Sequence, residues 1–270
     1  MNGGTIMSSV WEKFEIASTK YLNERFGEYA SFTRKGGSDS TTSDIKVTTK
    51  SNRVFYMEAK NSPAQCGQFV LLFDETSNTF VYSPRNINPI NVYAEQIIKH
   101  MNDNVDKFRE PGTKGVEIVM NNGSDIFVDW IIEMYKNKKV LFIITNDFTI
   151  LPIEDFGDYF DVSSTYRVKR SGSSNVGKNN IANVKKHISL FDYSIGDIRE
   201  DGSKLFVESN KQLDKERFLF RGREYMFSLR DSEYEIRKLS DTHNSNVIFS
   251  INIIDTKKGI ETNEFIRALK

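Results

Sequence analysis

The sequence predicts an α/β protein, with a mixed sheet flanked by helices over residues 1–155 and a β-rich extension over residues 156–270. Three observations carry that expectation. An amphipathic stretch near the N-terminus leads into three short strand-like runs. Two more amphipathic stretches then precede one continuous apolar run, Val140-Leu141-Phe142-Ile143-Ile144-Thr145. Beyond about Pro152 the pattern changes to polar residues and then to repeated strand-like pieces.

From Ser8 to Phe26, apolar side chains at Val10, Phe14, Ala17 and Tyr21 follow the helical rhythm of one buried face, with Trp11 and Leu22 alongside. Ser8 or Ser9 can cap this helix and Gly27 can end it. Strands are expected over Tyr29–Thr33, Asp44–Thr49 and Arg53–Lys60, separated by Gly36-Gly37 and Ser51-Asn52. Such close spacing suits antiparallel neighbours. Phe69–Phe73 and Thr79–Tyr82 read as a hairpin, and Asn91–Phe108 and Asp125–Lys136 as amphipathic helices. The run at 140–145 has the length and composition of a buried central strand. In the extension, LFVES, RFLFRGREYMFSLR, YEIRKL and NVIFSINII read as strands, and Thr262–Leu269 as a closing helix. The aromatic residues Phe218, Phe220, Tyr225, Phe227 and Tyr234 alternate with polar ones and read as sheet core.

Composition narrows the class. A chain of 270 residues with 38% apolar and 27% charged positions can bury one substantial core, or a core and an appended lobe. No apolar run approaches the roughly 20 residues needed to cross a bilayer, and no export signal is evident, so a soluble cytoplasmic protein is expected. A single cysteine, Cys66, and three scattered histidines (His100, His187, His243) offer no zinc spacing. The 37 basic and 37 acidic residues cancel, so only the distribution of charge can speak for a polyanionic partner.

The informative segment is Ser43 to Lys60, SDIKVTTKSNRVFYMEAK. Along a strand, Tyr56, Glu58 and Lys60 share one face, while Phe55, Met57 and Ala59 point to the other. A carboxylate and an ammonium at the end of an otherwise apolar strand lose hydration that one neighbour seldom repays, which makes sense if something binds there. Asp44 opens the preceding strand, and a hairpin turning near Ser51-Asn52 can bring its carboxylate to the end where Glu58 lies. Two converging carboxylates suit a hard divalent cation, and Mg²⁺ suits phosphate chemistry because it retains waters.

This segment resembles the PD-(D/E)XK nuclease superfamily, whose core runs helix, three antiparallel strands, helix, strand. The motif stands as Ser43-Asp44 and Glu58-Ala59-Lys60, and the element order over residues 8–145 agrees. Ser43 departs from the pattern, standing where the name-giving proline would be. The resemblance covers about the first half of the chain and implies a restriction-endonuclease-like fold. It makes Asp44 and Glu58 metal ligands, the Ala59 carbonyl a third ligand, and Lys60 the group that orients the attacking water. Placement of hydroxide by its charge is favoured over proton abstraction, because a base would need a much lowered pKa. In many members a first-helix glutamate joins the site; Glu15 lies nearer the apolar face than Glu12.

From Tyr166 to Lys186 six basic residues and no acidic one occur, and beside a nuclease site this stretch is expected to contact DNA as a loop. Arg167, Lys169, Arg170 and Lys178 would meet phosphates or guanine, and Ser171, Ser173 and Asn175 would supply small donors and acceptors. Arg85 and Asn86, in the proline-flanked YSPRNINPIN, form a second candidate contact. The expected activity is that of a type II restriction endonuclease, using Mg²⁺ (Mn²⁺ substituting) to cut both strands of double-stranded DNA at a short sequence. A homodimer is expected from two-strand cutting, with a cognate DNA methyltransferase as functional partner only. The alternatives are a structure-specific or repair nuclease resembling a junction resolvase, and a non-catalytic DNA-binding module.

Overall fold

The first helix buries a different stripe from the one its apolar residues mark. In the computed structural model, which describes residues 10–35, 43–112, 114–191, 193–254 and 259–270, helix α1 spans Val10–Phe26. From Trp11 onward its buried residues are Glu15, Ser18, Leu22 and Phe26, and Phe14 and Tyr21 flank them half-buried against Phe148. The stripe is rotated because a polar residue, Glu15, belongs on the inner face, where Arg34 meets it. The proposed caps Ser8 and Ser9, and the Gly36-Gly37 turn, lie outside the described residues.

Strands β1 (Ala30–Arg34), β2 (Ile45–Thr49) and β3 (Val54–Ala59) follow as an antiparallel meander, with Ile45 opposite Met57 and Val47 opposite Phe55. Next come β4 (Ala64–Asp74), β5 (Thr79–Tyr82), α2 (Val92–Asp103), α3 (Val105–Phe108), β6 (Val116–Glu117), α4 (Gly123–Asn137), β7 (Val140–Thr145) and β8 (Thr149–Pro152). The single helix expected over 91–108 breaks at Asn104, whose backbone leaves helical geometry. After α5 (Phe156–Tyr159), β9 runs Phe160–Arg170.

The remaining elements are β10 (Ser173–Asn175), α6 (Ile181–Ile188), β11 (Ile195–Asp201), β12 (Lys204–Ser209), β13 (Arg217–Phe220), β14 (Arg223–Arg230), β15 (Glu233–Leu239), β16 (His243–Ile253) and α7 (Thr262–Leu269).

The described residues divide into two compact units, residues 10–168 with 245–270, and residues 169–244. This differs from the expected break at 155/156. The reason lies in strand pairing: β9 and β16, both in the expected extension, complete a sheet ordered β5-β4-β16-β9-β6, and α7 returns Phe265 and Leu269 to the first core.

In the larger unit the first sheet is ordered β1-β2-β3-β7-β8, with β3 and β7 parallel and the other neighbours antiparallel. β7 is buried on both faces, which is why it reads as unbroken apolar sequence. Its Phe142 and Ile144 join Leu22, Phe26, Val47, Phe55, Met57 and Phe265 on one side. On the other side Val140 and Ile143 join a larger core with Phe127, Trp130, Ile131 and Met134 of α4 and with Phe69 and Phe249 of the second sheet. Each fully buried Phe or Ile contributes about 1.5–3 kcal/mol of transfer free energy.

In the smaller unit β11-β12-β15-β14-β13 form an antiparallel sheet, with β10 also pairing β15. Phe218, Tyr225, Phe227 and Tyr234 are buried in its core, and Phe220 packs against it, as the alternation predicts. The β13–β14 hairpin turns on Arg221-Gly222, both at positive φ, where glycine removes a Cβ clash.

Candidate active site

The site grows from two adjacent strands. Pairing of Ile45 with Met57 puts Asp44, one residue before β2, level with the end of β3. Asp44 Oδ2 then accepts from the Ala59 backbone N–H at 3.0 Å, extending the ladder with a side chain. The same oxygen lies 3.2 Å from Lys60 Nζ, and Glu58 Oε2 lies 2.8 Å from that nitrogen. Asp44, Glu58 and Lys60 are thus brought together around one ammonium.

Two carboxylates face one ammonium here, and Glu58 is only 4% exposed. Burial pushes the Glu58 carboxyl well above its ordinary range; Lys60 opposes the rise and Asp44 adds to it. Burial also acts to lower Lys60, but Glu58 and Asp44 outweigh it and the ammonium is held in its charged form.

Glu15 reaches the neighbourhood from α1. Arg34 donates from Nε to Glu15 at 3.0 Å and from Nη2 to Glu12 at 3.3 Å. Burial and the nearby Asp44 raise the Glu15 carboxyl, and Arg34 and Lys60 only partly offset this. Glu15, Asp44, Ala59 and Lys60 line one cavity of about 550 Å³, together with the half-exposed Trp11. A second cavity of about 400 Å³ opens on Asp44, Glu58, Lys60 and Arg85. Asp44 and Lys60 therefore border both hollows, and Glu58 the second alone.

Among the described residues no cluster of three or more His, Cys, Asp or Glu side chains converges for a metal. The donor set is two carboxylates with the Ala59 backbone beside them. It fits a hard divalent cation, because a second positive charge would relieve the pair that one buried ammonium leaves under-compensated.

The other candidate residues are spread more widely. Arg85 is exposed on the second cavity, while the Asn86 amide is taken up by the Val70 N–H and carbonyl at 2.7 and 2.8 Å and by the Ser83 carbonyl at 3.0 Å. The basic stretch is not the loop that its composition predicts. It forms the end of β9, then β10 and α6, because Ile181, Val184 and Ile188 give a short helix a buried stripe that the polar flanks hide. Arg167 and Lys178 are exposed, and Lys169 is engaged within the protein. Arg170 is bound to Glu224, and Ser171 to Asn244 and Thr242. Ser173 accepts from Arg237 at 3.2 Å, and Asn175 meets Ser203 and Arg237. Arg167 belongs to the larger unit and the other six to the smaller one.

Sequence reading missed Gln65 and Gln68 on the wall of the second cavity. The register of β4 against β16 slips at Cys66, so this bulge turns both amides to one side, with Gln65 Nε2 donating to Gln68 Oε1 at 3.2 Å. Gly67, two residues before the run read as a strand, was the available signal of a bulge. Trp11 was read only as a helix residue.

No protein-family model and no curated protein sequence matches the chain. Among solved structures, HhaI endonuclease in complex with DNA is similar with a TM-score of 0.80 and 35% identity, over 97% of this chain and 99% of that one. Shared identity at that level over nearly the full length of both, on a restriction-endonuclease-like fold, means that this chain belongs to the family of HhaI endonuclease.

Proposed function

We propose that the chain is a Mg²⁺-dependent type II restriction endonuclease, hydrolysing both strands of double-stranded DNA at a short specific sequence to leave 5′-phosphate and 3′-hydroxyl ends. The observation that carries this reading is the meeting of Asp44, Glu58 and Lys60 at adjacent strand ends, at 3.2 and 2.8 Å, in a chain of the HhaI endonuclease family. Asp44, Glu58 and the Ala59 carbonyl would hold Mg²⁺, with Mn²⁺ as a substitute. When bound, the cation supplies acidified water and neutralises charge on the phosphate.

The side chains do the rest. Lys60, held charged by its two neighbours, attracts the anionic phosphate and orients the nucleophile without giving up a proton. Glu15 borders the same hollow and adds negative charge on the helix side. Arg85, on the second hollow, would meet a backbone phosphate near the cut. Arg167 and Lys178 are exposed for sequence-independent phosphate contacts. Lys169, Arg170, Ser171, Ser173, Asn175 and Asn86 would reach DNA only by sharing or exchanging their present partners. A cognate methyltransferase would be the partner that protects host sites.

Incubation with unmethylated phage DNA and Mg²⁺ tests the proposal. Discrete fragments with common end sequences are expected, and strand cutting confined to branched substrates would favour a resolvase-like nuclease instead. The order in which nicked and linear plasmid appear reads out whether two chains act together on both strands.

A further inference from the structure

Lys60 is the last residue before the chain leaves the first sheet; four residues on, Ala64 opens β4 in the second. The crossing is tied at every peptide that matters to Lys60. Its N–H donates to the Ile144 carbonyl at 3.0 Å, continuing the parallel ladder. Its carbonyl accepts from the hydroxyl of Thr145, a fully buried residue at the end of β7, at 2.7 Å. Asn146 then grips Ser62 in both directions, its Oδ1 accepting from the Ser62 N–H at 2.7 Å and its Nδ2 donating to the Ser62 carbonyl at 2.9 Å. Ser62 Oγ in turn accepts from the N–H of Ile253, the last residue of β16, at 2.8 Å.

These bonds do more than satisfy a buried turn. The ladder that orients β3 ends at Lys60, so beyond it only side chains can hold the backbone in register. Thr145 and Asn146, the last residue of β7 and the one after it, supply that hold. Their hold has two consequences. It fixes the peptide from which the Lys60 side chain rises between Asp44 and Glu58, and it sets the point from which Gln65 and Gln68 enter the cavity wall.

We propose that Thr145 and Asn146 are positioning residues for strand cleavage, locking the Lys60–Ser62 backbone so that the ammonium stays centred between the two carboxylates. This rests on the nuclease reading of the site. Neither residue touches the reacting atoms, and both act through the main chain of Lys60 and Ser62.

The test uses Thr145→Val, Thr145→Ser and Asn146→Ala in the full chain. The substrate is a duplex built around a cut site mapped with the unaltered protein. Single-turnover cleavage in Mg²⁺ gives a rate constant and an amplitude, and affinity for the same duplex is measured in Ca²⁺. A merely structural role lowers the amplitude, which counts folded protein, and leaves the rate constant alone. A positioning role lowers the rate constant by about 10- to 100-fold in Thr145→Val and Asn146→Ala, with affinity held within about twofold. Thr145→Ser, which keeps the hydroxyl, restores most of the rate. Unchanged rate constants, or a loss confined to amplitude or affinity, overturn the proposal while the nuclease reading stands. An unaltered chain that cuts no DNA overturns both.

Discussion

Replacing Lys60 by methionine keeps most of the packing of its stem and removes the one charge shared by Glu58 and Asp44. At 2.8 and 3.2 Å, and with an effective dielectric near 20, the two attractions are each worth about 5–6 kcal/mol before the ammonium's own dehydration is subtracted. That dehydration costs several kcal/mol, so the net loss should be about 3–5 kcal/mol for the metal-free protein. The loss must depend on pH. Glu58 has a folded pKa raised to about 7 from an ordinary 4.5, so its contribution is most favourable below the unfolded value and is lost as pH rises through the folded one. Without Lys60 that rise is steeper. The variant should therefore match the unaltered chain near pH 5 and fall behind by roughly 10 °C in Tm near pH 8. Mg²⁺ should recover part of the deficit by replacing the missing charge. Thermal unfolding at both pH values, with and without Mg²⁺, is the assay. A deficit of equal size at pH 5 and pH 8 would refute the argument that one ammonium balances two buried carboxylates.

Other expectations concern parts of the fold around the site. Glu235, 4% exposed, meets Arg237 at 2.6 Å and Arg230 at 3.0 Å. Its burial alone would raise its pKa, but the two arginines reverse this and hold it below the ordinary value, so its stabilisation is present above about pH 4.5 and lost as pH falls through the folded value. Glu235→Gln should cost about 1.5–3 kcal/mol at pH 7 and progressively less as pH is taken below 4.5, measured by urea unfolding at each pH. Gly67→Ala would set a Cβ 2.8 Å from Trp130 and 3.2 Å from the Met134 sulfur, and should cost about 1–3 kcal/mol. Since Gly67 sits in the bulge between Gln65 and Gln68, the fluorescence of Trp130 should shift as well.

Much of the first half of the chain was legible because its signals are local. The 140–145 run, the spacing of β1 to β3 and the helix at 262–269 each follow from period and composition alone. Asp44, Glu58 and Lys60 were readable as a group because a hairpin turn of known place fixes which ends of two strands meet. Long-range pairing was not legible. Nothing near residue 160 or residue 250 announces that β9 and β16 complete a sheet with β4, so the unit boundary was placed too early. Helix α1 shows the limit of apolar counting: Glu15 is buried by an interaction with Arg34, nineteen positions away, that periodicity cannot register. Thr145 and Asn146 carried no signal either, since their worth lies in a backbone eighty-odd residues earlier.

The most direct measurement compares the unaltered chain with Asp44→Ala on a duplex carrying a mapped cut site, reading DNA affinity and Mg²⁺-dependent cleavage in the same samples. The variant is expected to bind the duplex about as well and to cut it at less than about one-hundredth of the normal rate. Cleavage by the variant at an undiminished rate would show that the Asp44, Glu58 and Lys60 cluster is not where the phosphodiester bond is broken.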